Sequence, residues 1–165
     1  MKIDVEIIRT YQDWKNHKFI NKPLVKKVVC AILNKYKNFK GVARFEVAIL
    51  LTDNNEMLNL NSQFCGKGKA TNVLSFPDIE LDFRQLLEFT PNLDYMYLGD
   101  IAFGYERIHS EAISQNKSFR DHFVHLLVHS ILHLLGFDHQ NDEEAIIMEN
   151  LEVEILKDFA IVSPY

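Results

Sequence analysis

The stretch His129-Ser130-Ile131-Leu132-His133-Leu134-Leu135-Gly136-Phe137-Asp138-His139 decides how the rest of the chain is read. Two histidines four residues apart lie one above the other on a helix, because each residue turns the helix by about 100°. They can grip one ion together. Gly136 is the residue type that takes a left-handed conformation and ends a helix, so the chain can double back and deliver His139 to the same point. The spacing predicts a three-histidine metal site built from His129, His133 and His139. Three imidazoles with no fourth protein ligand match a catalytic zinc site, which keeps one position for water; structural sites are closed by four ligands.

Upstream, Ser118 opens the helix, with Asp121 in the capping-box position. Phe123, Val124, Leu126, Leu127, Val128, Ile131, Leu132, Leu134 and Leu135 make it apolar almost all round, which predicts a helix buried in the middle of the fold. His122 and His125 continue the stripe of His129 and His133 and are expected to be hydrogen-bonded or partly exposed rather than ligands. Downstream, Asn141 caps a helix predicted over Asp142 to Phe159, with Met148, Leu151, Ile155 and Phe159 facing inward.

Toward the N-terminus, Lys2 to Arg9 alternates Ile3, Val5 and Ile7 with polar residues, the period of a half-buried strand. Helical spacing of Leu24, Val28, Ala31 and Ile32 follows Asn21, and Arg44 to Thr52 reads as a buried strand. Asp53 caps a second helix with Met57, Leu60 and Phe64 along one face. Cys65 to Asn72 carries two glycines and two lysines, a mobile basic loop able to approach a phosphate, and Val73 to Phe76 is a short strand stopped by proline. Asp78 to Tyr95 is an acidic surface excursion with a short helix around Leu81 to Phe89. Tyr97 to Phe103 is a fourth strand, whose Gly99 signals close approach of another backbone, and Glu106 to Gln115 a short helix. This order of elements implies an α/β (α+β) layered domain with a mixed sheet of about four strands.

At 165 residues the chain fits one domain, and its 47% hydrophobic and 25% charged content excludes a disordered chain. No apolar run reaches the length of a membrane span and the N-terminus lacks the form of a signal peptide, so a cytoplasmic protein is expected. Cys30 and Cys65 are the only cysteines, which argues against a disulfide framework. A net charge of −5 confines any RNA contact to a local patch.

Zinc peptidases of the metzincin type share the His-x3-His-x5-His spacing but carry a glutamate base directly after the first histidine. Here that position is Ser130, whose hydroxyl cannot take a proton from water at neutral pH. Neutral ligands leave the ion's charge uncompensated, which suits an anionic substrate such as a phosphodiester. With Lys67 and Lys69 upstream, phosphodiester hydrolysis is favoured over peptide hydrolysis.

The stretch from His129 to His139 resembles the signature H-G-x-L-H-L-x-G-[YF]-D-H of the YbeY family of bacterial rRNA-maturation endoribonucleases. Gly66 to Pro77 is similar to the family's G-K-x-K-P-T-[DN]-V-L-S-F-P block, Leu98-Gly99-Asp100-Ile101 to its L-G-D-I strand, and Asp142-x-Glu144 and Met148-Glu149 fit as well. Chain length and motif order agree from end to end, so the resemblance covers essentially the whole domain, residues 1–165. It implies a zinc-dependent, single-strand-specific endoribonuclease of 16S rRNA 3′-end maturation and ribosome quality control, on a fold related to zincins. It further implies one zinc per chain on His129, His133 and His139, with His129 also placed in the catalytic role. Lys67, Lys69, Thr71 and Asn72 are the residues expected to bind substrate, and Asp138 either orients a ligand or holds the turn. RNA and the small ribosomal subunit are the implied partners, with neither DNA nor a membrane among them. Two positions depart from the pattern: Ser130 replaces a glycine, and Cys65 stands where the family usually has an arginine. A thiol offers neither a guanidinium fork nor a fixed charge. A ribosome assembly factor with a structural metal is the alternative from another class, and a zinc peptidase a third.

Overall fold

The computed structural model describes residues 1–86, 88, 91 and 94–165. Four strands, β1 (Lys2–Arg9), β2 (Arg44–Thr52), β3 (Val73–Pro77) and β4 (Tyr95–Gly104), form one sheet in the order β1-β2-β4-β3. The first three in that order are parallel, and β3 runs antiparallel to β4 at the edge. The sheet is therefore mixed, as the alternation of patterns implies. Among the described residues five α-helices accompany it: α1 (Lys22–Leu33), α2 (Asn54–Cys65), α3 (Tyr105–Ser114), α4 (Phe119–Leu134) and α5 (Asp142–Lys157).

Register follows from burial. Val47 pairs with Val5, and Ile49 and Leu51 pair with Ile101 and Phe103 on the inner face, where all six are buried. A bulge after Glu46 leaves Leu98 as the extra residue of β4 and sets Gly99 opposite Val47. Gly99 has φ 131°, and a Cβ there would lie 2.2 Å from the Phe76 carbonyl oxygen of β3. Only glycine lets the edge strand close in at this point.

Helix α4 is the central element. It packs against β3, β4, α1, α3 and α5, which explains why its sequence is apolar on nearly every face. The Ser118 hydroxyl accepts the Asp121 N–H at 3.0 Å and starts it. Asp121 does not complete the reciprocal box: its carboxylate pairs with Arg120 instead. Caps of the same kind begin α1, α2 and α5, where Asn21, Asp53 and Asn141 accept from Leu24, Glu56 and Glu144.

Two expectations need correction. On α2 the buried residues are Met57 and Asn61, whereas Phe64 is 60% exposed and meets Phe76 edge-on at the sheet's outer face. The helix is rotated from the position that Met57, Leu60 and Phe64 suggest, because Asn61 turns inward to donate to the Lys69 carbonyl at 2.8 Å. Among the described residues of the acidic excursion, the regular structure is a single 3-10 turn over Phe83–Gln85. The rest of the helix expected around Leu81 to Phe89 lies partly outside the described residues. Among the described residues no helix is long and apolar enough to cross a membrane.

Candidate metal centre

His129 and His133 occupy the last two turns of α4, and their Nε2 atoms face one another at 3.0 Å. The helix then closes in a double hydrogen bond: Phe137 N–H donates to the Leu132 carbonyl at 3.1 Å and Gly136 N–H to the His133 carbonyl at 3.0 Å. This is the Schellman arrangement, with Gly136 as the left-handed residue at φ 86°. Space demands glycine as well as backbone angle, since a Cβ at Gly136 would lie 2.0 Å from the Leu81 carbonyl oxygen. The turn returns His139 to the triad, and one ligand atom from each histidine lies within 4.8 Å of the others.

Asp138 secures that return. One carboxylate oxygen accepts the His139 N–H at 2.8 Å and the other the Gln140 side-chain amide at 2.7 Å. Burial pushes its carboxyl up, but these bonds outweigh it and hold the group below the ordinary carboxylate range. Its hydrogen bonds go to the turn and not to an imidazole ring.

Behind the triad stands a residue that the sequence reading passed over. Glu152 of α5 is fully buried and accepts from His129 Nδ1 at 2.7 Å, from His125 Nε2 at 2.8 Å and from the Tyr165 hydroxyl. Burial raises its carboxyl, yet the bonds from His125 and His129 prevail and bring it down to about 2, so it is ionised. An ionised carboxylate can only accept, which places the His129 proton on Nδ1 and turns the bare Nε2 toward the triad. A signal was present in the sequence: Glu152 interrupts the inward face of α5, in step with the buried Met148, Ile155 and Leu156.

The donor set fits a metal ion. Two nitrogens each bound at ~2.0–2.1 Å to one tetrahedral ion lie ~3.3 Å apart, close to the 3.0 Å seen between His129 and His133. Burial, together with the neighbouring His129 and His139, pushes His133 down to about 4, so it is neutral and able to ligate at ordinary pH. The three imidazoles can therefore hold an ion. His122 and His125 stay out of the triad, as their spacing suggests: His122 is buried against Glu111 at 3.0 Å, and His125 faces Glu152.

The triad opens into a groove of about 680 Å³. Its opposite wall is the segment from Cys65 through β3, including Lys67, Lys69, Thr71 and Asn72. The Asn72 side chain is engaged there, with its amide nitrogen donating to Glu111 and its oxygen accepting the Val73 N–H. Cys65 is exposed and free. Ser130 is fully buried and its hydroxyl donates to the Leu126 carbonyl one helical turn back, away from the groove. Asp138 is the only carboxylate lining the groove among the described residues, and the turn already occupies it.

The chain is similar to known proteins in both fold and sequence. The solution structure of TM1509 from Thermotoga maritima matches at a TM-score of 0.54 and 20% identity, over 94% of this chain and 91% of that one, and so shares the fold. The Endoribonuclease YbeY of Bartonella bacilliformis is 48% identical over 120 residues, 73% of this chain and 72% of its own length. The family model described as Endoribonuclease YbeY matches residues 10–160. The chain belongs to the YbeY family.

Proposed function

We propose that this protein is a zinc-dependent endoribonuclease that hydrolyses single-stranded RNA, in the cytoplasm, during maturation of the 16S rRNA 3′ end and ribosome quality control. The observation that carries the reading is the composition of one groove: three imidazoles converge on one side, Lys67 and Lys69 line the other, and among the described residues no carboxylate of the lining is free to act as a base. Zinc is favoured by three histidines at this spacing with an open side. Once bound, the ion supplies Lewis-acid charge and an acidified water to a substrate that is itself anionic.

The chain's own residues do the rest. His129, His133 and His139 bind and orient the ion, and Glu152 fixes the tautomer of His129. Asp138 holds the turn beneath His139. Lys67 and Lys69 neutralise phosphate oxygens as the strand enters, and the Thr71 hydroxyl offers a donor beside them. Asn72 acts indirectly, by fastening the loop to Glu111. Hydrolysis joins the water oxygen to phosphorus, breaks the bond to one ribose oxygen and leaves the proton on that oxygen.

Loss of Ser130 into the helix weighs against peptide hydrolysis, which needs a base at that position. Pure protein loaded with zinc is expected to cut single-stranded RNA, and His133→Ala to abolish cutting with the fold retained. Equal cutting by wild type and His133→Ala would overturn the proposal.

A further inference from the structure

A second hollow adjoins the groove. It measures about 310 Å³ and shares Lys69, Thr71 and Asn72 with the groove, while Ala70 and, from α3, Arg107 and Glu111 complete it. Glu111 organises this place. Its carboxylate accepts from Asn72 Nδ2 at 2.9 Å, His122 Nε2 at 3.0 Å and Arg107 Nε at 2.9 Å, and so ties together the loop, α4 and α3. Burial pushes this carboxyl up, but the three bonds prevail and hold it below the ordinary range, so its charge is present and already answered by donors.

Arg107 is attached through Nε alone, which leaves both of its terminal nitrogens without a partner among the described residues. Those nitrogens form the fork that matches a phosphate. Lys69, on the shared wall, has no ion pair among the described residues. In a chain of net charge −5, Lys67, Lys69 and Arg107 surround one connected hollow whose two carboxylates, Glu111 and Asp138, are both hydrogen-bonded. An anionic strand lying here meets three cations and, among the described residues, no unpaired carboxylate of the lining.

Distance separates this hollow from the triad. Glu111 binds His122, which lies seven residues before His129 on α4, about 10.5 Å along the helix axis. A phosphate held by Arg107 is therefore a neighbour of the one at the triad and not the same group. We propose that Arg107 and Lys69 form a second phosphate subsite, which holds the backbone of an RNA strand whose scissile phosphate lies at the histidines. The inference rests on the endoribonuclease reading and specifies the path of its substrate.

The test compares wild type, Arg107→Ala and Arg107→Lys, each loaded with zinc, on a single-stranded RNA dodecamer and on a dinucleotide too short to reach both places. On the dodecamer, Arg107→Ala is expected to raise KM several-fold with kcat unchanged, and to lower the slope of log(kcat/KM) against log salt by about 0.7, one phosphate contact on a single strand. Arg107→Lys keeps the wild-type slope because it keeps the charge, which separates the contact from an effect on folding. The dinucleotide is cut equally by all three. An unchanged KM and slope for Arg107→Ala on the dodecamer overturns the subsite while the endoribonuclease reading stands. An equal loss on the dinucleotide overturns it too, since Arg107 would then act at the triad. If wild type neither binds nor cuts either RNA, both readings fall together.

Discussion

The two walls of the groove are built differently. On the α4 side two of the three histidines are held from behind: Glu152 grips His129, the Schellman turn carries the chain to His139, and Asp138 binds the N–H of His139 itself. On the loop side, Cys65 to Lys69 is exposed, and what restrains it comes from outside, through Asn61 on the Lys69 carbonyl and Glu111 on Asn72. The contrast separates two requirements. A metal ion needs donors fixed to a fraction of an ångström, and the hydrogen bonds on His129 and His139 supply that. A flexible polyanion needs charge within reach, and lysines on an adaptable segment supply that at little cost in fold stability.

If the buried wall is what sets the metal site, the largest effect comes from Glu152→Gln. The change keeps the volume but removes the charge that fixes the His129 tautomer, and zinc affinity is expected to fall roughly 10- to 100-fold, measured by chelator competition. An unchanged affinity would reduce Glu152 to a packing residue. Gly136→Ala attacks the same wall through the backbone. At φ 86° and with the Leu81 oxygen 2.0 Å from the new Cβ, it is expected to destabilise the fold by more than about 1 kcal/mol in denaturant titration and to weaken zinc binding as His139 moves.

Acid sharpens the comparison further, with a smaller effect. His133 is depressed to about 4 in the folded chain, so between its ordinary value near 6.5 and that point the unfolded chain takes up a proton that the folded chain does not. Stability of the metal-free protein therefore falls as pH drops from about 6.5 toward 4. Glu152, held at about 2, contributes stability that is present above its ordinary value and is lost as pH falls from about 4.5 toward 2. The denaturation midpoint should thus decline from pH 6.5 downward. A flat midpoint from pH 7 to 5 would contradict the burial assigned to His133.

Much of this arrangement was legible in the sequence because its determinants are local. Ser118, Asn141, Asp53 and Asn21 announce helix starts by their own side chains, and His129, His133, Gly136 and His139 are linked by helix geometry alone. Strand Lys2–Arg9 shows its alternation for the same reason. What escaped depends on contacts between distant segments. Glu152 acquires its meaning only when α5 packs against α4, 23 residues from His129 in sequence. The face of α2 was misjudged because Asn61 is buried by a single bond to the Lys69 carbonyl, which no apolar period reveals. Glu111 likewise gains its role only where Asn72 and His122, from the loop and from α4, meet it.

The central claim is that the triad holds the ion that cuts RNA and that the loop only brings RNA to it. Metal content and cleavage of single-stranded RNA, measured on the same samples of wild type, His133→Ala and the double variant Lys67→Ala/Lys69→Ala, test it directly. Wild type is expected to hold one zinc and to be fully active, and His133→Ala to lose both. The lysine variant is expected to retain zinc and to bind RNA more weakly. Cleavage at the wild-type rate by His133→Ala without bound metal would contradict it.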